Sequence, residues 1–113
     1  MSQITTHILD TAMGQPAAGV KLSLQQLKAG EWQEIGHGLS NDDGRAPMLL
    51  PKQRVLTAGS YRLCFETGAY FEARGLAAFY PSVDIVFVVD NSGSHYHIPL
   101  LLSPYGYSTY RGS

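Results

Sequence analysis

The sequence predicts an all-β fold, an antiparallel sandwich of seven or eight short strands with one small helix. Three observations carry that prediction. Apolar and polar residues alternate with a period of two in several separate segments. Turn residues separate those segments at intervals of about 8–12 residues. Twelve Gly, six Pro and 11% aromatics suit a chain of strands and turns better than a helical bundle. At 113 residues the chain reads as a single domain, 1–113, long enough to bury one core.

The first strand is Ile4 to Leu9, with Ile4, Thr6 and Ile8 on one face and Thr5, His7 and Leu9 on the other. A turn at Met13-Gly14-Gln15-Pro16 ends it. Val20, Leu22 and Leu24 alternate with Lys21, Ser23 and Gln25 in a half-buried second strand. Lys28-Ala29-Gly30-Glu31 reads as a hairpin loop and Trp32 to Gly38 as the returning strand. Asn41-Asp42-Asp43-Gly44 is a turn, because Asn and Asp accept local backbone bonds and Gly supplies positive φ. Pro51 to Gly59 reads as loop with an edge segment. Ser60 to Thr67 alternates again, Tyr61, Leu63 and Phe65 opposing Arg62, Cys64 and Glu66.

The one segment with helical spacing is Ala69 to Phe79, ended by Pro81 and weakened by Gly75 inside it. Val83 to Asp90 is a β-branched strand, followed by a turn at Asn91-Ser92-Gly93. His95 to Ser103 is the next strand and Ser108 to Tyr110 a short last one.

Eight basic side chains against nine acidic ones leave a net charge of −1. A nucleic-acid binder would carry a basic stripe, so that class is excluded. Disorder is excluded by 44% hydrophobic content at low net charge. No apolar run approaches the ~18 residues of a membrane span, and the opening residues lack a leader pattern. The expectation is a cytoplasmic protein. Cys64, the single cysteine, cannot form an intrachain disulfide and reads as inert packing.

Four histidines carry the chemistry best suited to proton transfer near neutral pH: His7, His37, His95 and His97. On the strand from His95, His97 shares a face with His95 and Pro99, while Ile98, Leu100 and Leu102 face the core. His7 likewise stands off the core face of the first strand. Two such strands can meet in a groove or at a subunit interface, although any one histidine alone reads more simply as a half-exposed surface side chain. A His-x-His with His7 as third ligand also fits zinc, but so short a spacing recurs by chance and no carboxylate supports it. Arg45, after the turn, can clamp an anion or oxyanion through its planar fork; alone it reads as a solvated loop residue. The segment from Ser103 to Ser113 is unusual for a chain end in carrying three tyrosines, Tyr105, Tyr107 and Tyr110, and Arg111.

Three stretches together are specific. Thr6-His7-Ile8-Leu9-Asp10 with Gly14-Gln15-Pro16-Ala17, Asp43-Gly44-Arg45, and the run from His95-Tyr96-His97-Ile98-Pro99 through Tyr107-Ser108-Thr109-Tyr110-Arg111-Gly112-Ser113 resemble the motifs of the transthyretin-related family. The Tyr-Arg-Gly-Ser ending resembles that of its enzyme branch, the 5-hydroxyisourate hydrolases, and separates them from the hormone-carrying transthyretins. The resemblance runs over the whole chain.

It implies a transthyretin-like antiparallel β-sandwich of two four-stranded sheets with one short helix, assembled as a homotetramer with sites in a channel between dimers. The implied reaction hydrolyses 5-hydroxyisourate to 2-oxo-4-hydroxy-4-carboxy-5-ureidoimidazoline in urate breakdown, with no organic cofactor or metal. It implies His7, Arg45 and His97 as catalytic residues, with Tyr110 and Ser113 joining His7 and Arg45 around the substrate. One of His7 and His97 would be the general base and the other would orient water or protonate the departing nitrogen, in an order the sequence leaves open. His95 ranks below His97, and His37 matches no motif. Two other functions remain: a non-catalytic carrier of small aromatic ligands, and a metal-dependent amidohydrolase using His7, His95 and His97.

Overall fold

The computed structural model describes residues 2–113. Eight strands and one helix follow in the order β1 (Ile4–Asp10), β2 (Gln15–Pro16), β3 (Lys21–Lys28), β4 (Glu31–Leu39), β5 (Gly59–Phe65), α1 (Thr67–Glu72), β6 (Val83–Val89), β7 (Tyr96–Ser103) and β8 (Gly106–Thr109). They form two four-stranded sheets, β2-β1-β7-β8 and β4-β3-β5-β6. The sandwich expected from the alternation is the architecture found.

Burial follows the period-two reading. Along β1, Ile4, Thr6, Ile8 and Asp10 are buried and Thr5, His7 and Leu9 half-buried. Along β7, Tyr96, Ile98, Leu100 and Leu102 enter the core, while His97 stays half-buried on the outer face. From the other sheet come Leu22, Leu24, Tyr61, Leu63, Phe65, Val83 and Val89, all in one continuous cluster. Each fully buried aliphatic or Phe side chain contributes roughly 1.5–3 kcal/mol.

The sheets depart from the sequence reading in four places. Neighbouring strands are expected to be antiparallel throughout, yet β1 and β7 run parallel, with Ile4 opposite Tyr96 and Asp10 opposite Leu102. A parallel pair needs a long crossover, and the whole second sheet serves as that connection. Gln15 and Pro16, read as turn, pair with Asp10 and Leu9 as the short strand β2. The 51–58 stretch contains no strand.

The helix is the fourth departure: it covers Thr67–Glu72 rather than Ala69 to Phe79. Gly75 lies outside it with φ +72°. Its N–H donates to the Glu72 carbonyl at 2.9 Å, and the Leu76 N–H to the Phe71 carbonyl at 3.0 Å. That double bond pattern is the glycine C-terminal stop of a helix, so Gly75 ends the element instead of weakening its interior. Tyr70, on this helix, donates its hydroxyl to Oδ2 of fully buried Asp10 at 2.8 Å and ties α1 to the end of β1. Burial and the Asp10 carboxylate push the Tyr70 phenol up to about 12.

Candidate active site

The parallel β1–β7 register is what assembles the site. It sets Thr5 opposite His97 and His7 opposite Pro99. Side chains opposite one another project to the same face, so Thr5, His7, His97 and Pro99 share the outer face of the first sheet.

Arg45 is brought to the same place by the turn before it. The Asn41 side-chain oxygen accepts from the backbone N–H of Asp43 at 2.9 Å and of Arg45 at 3.0 Å. Gly44 adopts φ +75°, and a Cβ there would run into the Ile8 carbonyl oxygen, so only glycine fits. With that close approach the Ile8 N–H donates to the Gly44 carbonyl at 2.8 Å, and Arg45 forms an antiparallel bridge opposite His7. The turn is thus stitched to the free edge of β1.

The C-terminal segment closes the other side. After β8 it rejoins β7, the Gly112 N–H donating to the His97 carbonyl at 2.8 Å. The Arg111 guanidinium lies 4.5 Å from the Tyr96 ring centroid and anchors the segment there. Thr5, Thr6, Arg45, Pro47, His95, His97 and Ser113 then line one groove of about 360 Å³. Arg45 brings a fixed positive charge to this lining, which suits an electron-rich or anionic guest.

Within the groove the Thr5 hydroxyl lies 2.8 Å from His97 Nδ1 and 2.9 Å from His95 Nε2. The two imidazole rings lie nearly parallel, 6.5 Å apart at 17°. Burial holds His97 below the ordinary imidazole range, with added push from Arg45, then His95 and His7. His97 is therefore neutral at neutral pH, with a lone pair to accept a proton. Among the described residues no hydrogen-bond partner occupies its Nε2.

The structure thus gathers His7, Arg45, His95, His97 and Ser113 around one face. It does not bring Tyr110 there: that side chain lines a separate groove of about 350 Å³ with Ile85, Phe87, Tyr96 and Arg111, between the edges of the two sheets. His37 stands exposed on β4, 3.4 Å from Glu34, away from the groove. The Cys64 thiol is pushed up by burial and by Asp84, which keeps it an unreactive thiol at neutral pH. Among the described residues no three His, Cys, Asp or Glu side chains converge as a metal-binding group, His7, His95 and His97 included.

Sequence reasoning missed Thr5 as a site residue. Its signal was the alternation that put it on the face of His7. A larger depression, about 850 Å³, covers the outer face of the second sheet, but Glu34, Glu66 and Asp84 line it and disfavour an electron-rich guest.

Comparison with known proteins gives the same frame. The profile of the HIUase/Transthyretin family matches residues 4–112. The 5-hydroxyisourate hydrolase of Mus musculus is 46% identical over 114 residues, covering 99% of this chain and 96% of that protein. The solved 5-hydroxyisourate hydrolase of Klebsiella pneumoniae superposes with a TM-score of 0.84 at 40% identity, covering 97% of this chain and 98% of that one. Sea bream transthyretin in complex with thyroxine superposes with a TM-score of 0.92 at 34% identity, covering 98% and 95%.

Proposed function

The chain belongs to the HIUase/transthyretin family, and from that membership and the assembled groove we propose that it hydrolyses 5-hydroxyisourate to 2-oxo-4-hydroxy-4-carboxy-5-ureidoimidazoline. The observation that carries this reading is the convergence on one face of a neutral His97, His7 and Arg45, delivered by three separate segments. A carrier of aromatic ligands has no use for a proton acceptor beside a guanidinium.

His97 Nε2 takes a proton from a water molecule as that water attacks the carbonyl of the cyclic amide. Arg45 stabilises the negative charge that builds on the carbonyl oxygen as it becomes tetrahedral, and holds the electron-rich ring. His7, on the far side of the Arg45 bridge, delivers a proton to the departing nitrogen, and the ring opens. Ser113 borders the substrate. No step requires a metal or an organic cofactor.

The assembly we propose is a homotetramer with the groove facing a channel between dimers. Edge strands β6 and β8 leave backbone groups unpaired, and Val86 and Val88 stand exposed on β6. In that assembly Tyr110, outside the groove of its own protomer, is available to a neighbouring site. The cytoplasm is the proposed compartment.

The test follows the ultraviolet decay of freshly generated 5-hydroxyisourate with and without the protein, repeated with a chelator. Acceleration over spontaneous decay that survives chelation supports the reading. Acceleration lost to the chelator moves the histidines into a metal site, and none from a folded oligomer favours a carrier.

A further inference from the structure

We propose that Thr5 and His95 form a proton relay behind His97, the Thr5 hydroxyl passing charge from the half-buried groove to an exposed imidazole. The proposal rests on the reading of His97 as general base and adds two positioning residues to it.

Thr5 Oγ1 lies within hydrogen-bond distance of two ring nitrogens, His97 Nδ1 at 2.8 Å and His95 Nε2 at 2.9 Å. A hydroxyl has one proton to give and two lone pairs to accept with, so it donates to one ring at most. Two arrangements place the hydroxyl proton between the rings, and each sets the tautomers of both rings together. In the first, His97 Nδ1–H donates to Thr5 Oγ1 and Thr5 Oγ1–H donates to His95 Nε2. That arrangement leaves the lone pair of His97 on Nε2, the nitrogen without a partner among the described residues. In the second, both bonds reverse, and His97 bears its proton on Nε2.

The relay is the passage from the first to the second. A proton from water reaches His97 Nε2 and makes the ring a cation. The Nδ1 proton moves to Thr5 Oγ1 while the Oγ1 proton moves to His95 Nε2. His97 ends neutral with Nε2–H, Thr5 ends as a hydroxyl, and His95 holds both ring protons and the charge. Once His7 has protonated the departing nitrogen, the reverse sequence returns the charge to His97, whose Nε2 proton leaves for solvent as His7 takes one up, and the start is restored. No proton is gained or lost by the protein over the cycle.

The direction of transfer follows from the surroundings. Burial, Arg45, His95 and His7 disfavour a cation on His97 and outweigh a backbone contact with Thr5 that favours it. Those are the titratable and charged groups that face it from the loop, from β1 and from the residues leading into β7. His95 is exposed, so a charge placed there is solvated by water and lies farther out. A half-buried base that cannot comfortably hold its proton gains from an outlet.

The test uses Thr5→Val, which keeps the β-branched shape and removes the hydroxyl, with Thr5→Ser as the rescue and His95→Ala as the outlet variant. Ring ¹⁵N resonances are read across pH in the substrate-free protein, and kcat and KM are read separately with 5-hydroxyisourate. The relay predicts one dominant His97 tautomer and coupled titration of His95 and His97, both lost in Thr5→Val. It predicts kcat down about tenfold or more in Thr5→Val and in His95→Ala with KM changed less than about twofold. Thr5→Ser stays within about threefold of the parent, and Thr5→Val with His95→Ala is no worse than either alone. Independent titration of the two rings in the parent overturns the relay, as does a Thr5→Val protein with parental kcat and pH profile. Coupled rings in a protein that fails to hydrolyse 5-hydroxyisourate uphold the hydrogen-bonded relay and sink the activity reading instead, so the two failures are told apart.

Discussion

Gly112 and His97 are joined twice: the Gly112 N–H donates to the His97 carbonyl at 2.8 Å, and the bare α-carbon of Gly112 leaves room for the His97 ring. A methyl group there would sit 2.6 Å from His97 Cδ2 and 3.3 Å from Pro99 Cγ. The glycine of the Tyr-Arg-Gly-Ser segment therefore acts by its lack of a side chain. It lets the chain end close over the groove without moving the base.

Gly112→Ala consequently displaces His97. Kinetics with 5-hydroxyisourate should show kcat reduced by on the order of 10²-fold, the cost of misplacing a reacting group by about an ångström. Thermal unfolding should stay close to the parent, because the segment covers the sheet from outside. An alanine variant with parental kcat would show that the ring is free to move aside.

His7→Asn and Arg45→Gln separate the other two roles. Each should lower kcat, His7→Asn by about 10²–10⁴-fold as expected for loss of a proton donor. Arg45→Gln has a second signature. Because His97 must be neutral to act as base, activity is present above its pKa and lost as pH falls through it. Burial first and the Arg45 charge second hold that pKa down. Removing the charge raises it, so the acid limb of kcat/KM moves to higher pH. A limb that stays put would mean that the titrating group is not beside Arg45.

Gly44→Ala tests how the turn delivers Arg45. The Cβ collides with the Ile8 carbonyl oxygen and φ +75° becomes strained. The variant should lose about 1 kcal/mol or more in denaturant unfolding and lose activity beyond what that destabilisation explains. Parental stability and activity together would show that the loop tolerates a shift.

Tyr70→Phe removes the hydroxyl partner of buried Asp10 and should cost about 1–3 kcal/mol at neutral pH. The parent carries a matching alkaline signature. A phenol raised to about 12 keeps its proton in the folded state after the unfolded chain has lost it. Its contribution is complete below the unfolded pKa of about 10 and fades as pH rises through 12. The Phe variant should lose that part of the alkaline slope, measured as unfolding midpoint against pH.

The sequence speaks most clearly where a period of two governs the chain. Alternation alone places Ile4 and Ile8 inward, His7 outward, Ile98 and Leu100 inward and His97 outward, because a strand has only two faces. The family motifs then supply Arg45 and the segment ending at Ser113. What lies beyond that reading depends on contacts with no periodic trace. The hydroxyl of Thr5 reaches two rings some ninety residues away, and nothing in a threonine signals such a reach. The parallel pairing of β1 with β7 spans nearly the whole chain. Gly75 reads as a flaw within a helix until its carbonyl partners show it to be the stop. Tyr110 carries the family pattern, yet its place in a different groove becomes visible only once Arg111 is seen against Tyr96.

The most direct test of the account compares the decay of 5-hydroxyisourate in the presence of the parent protein and of His97→Asn, both folded and of the same oligomeric state, with chelator present. The account predicts acceleration by the parent and decay close to the spontaneous rate with the variant. Sustained acceleration by His97→Asn would contradict it, since the proton acceptor would then lie elsewhere.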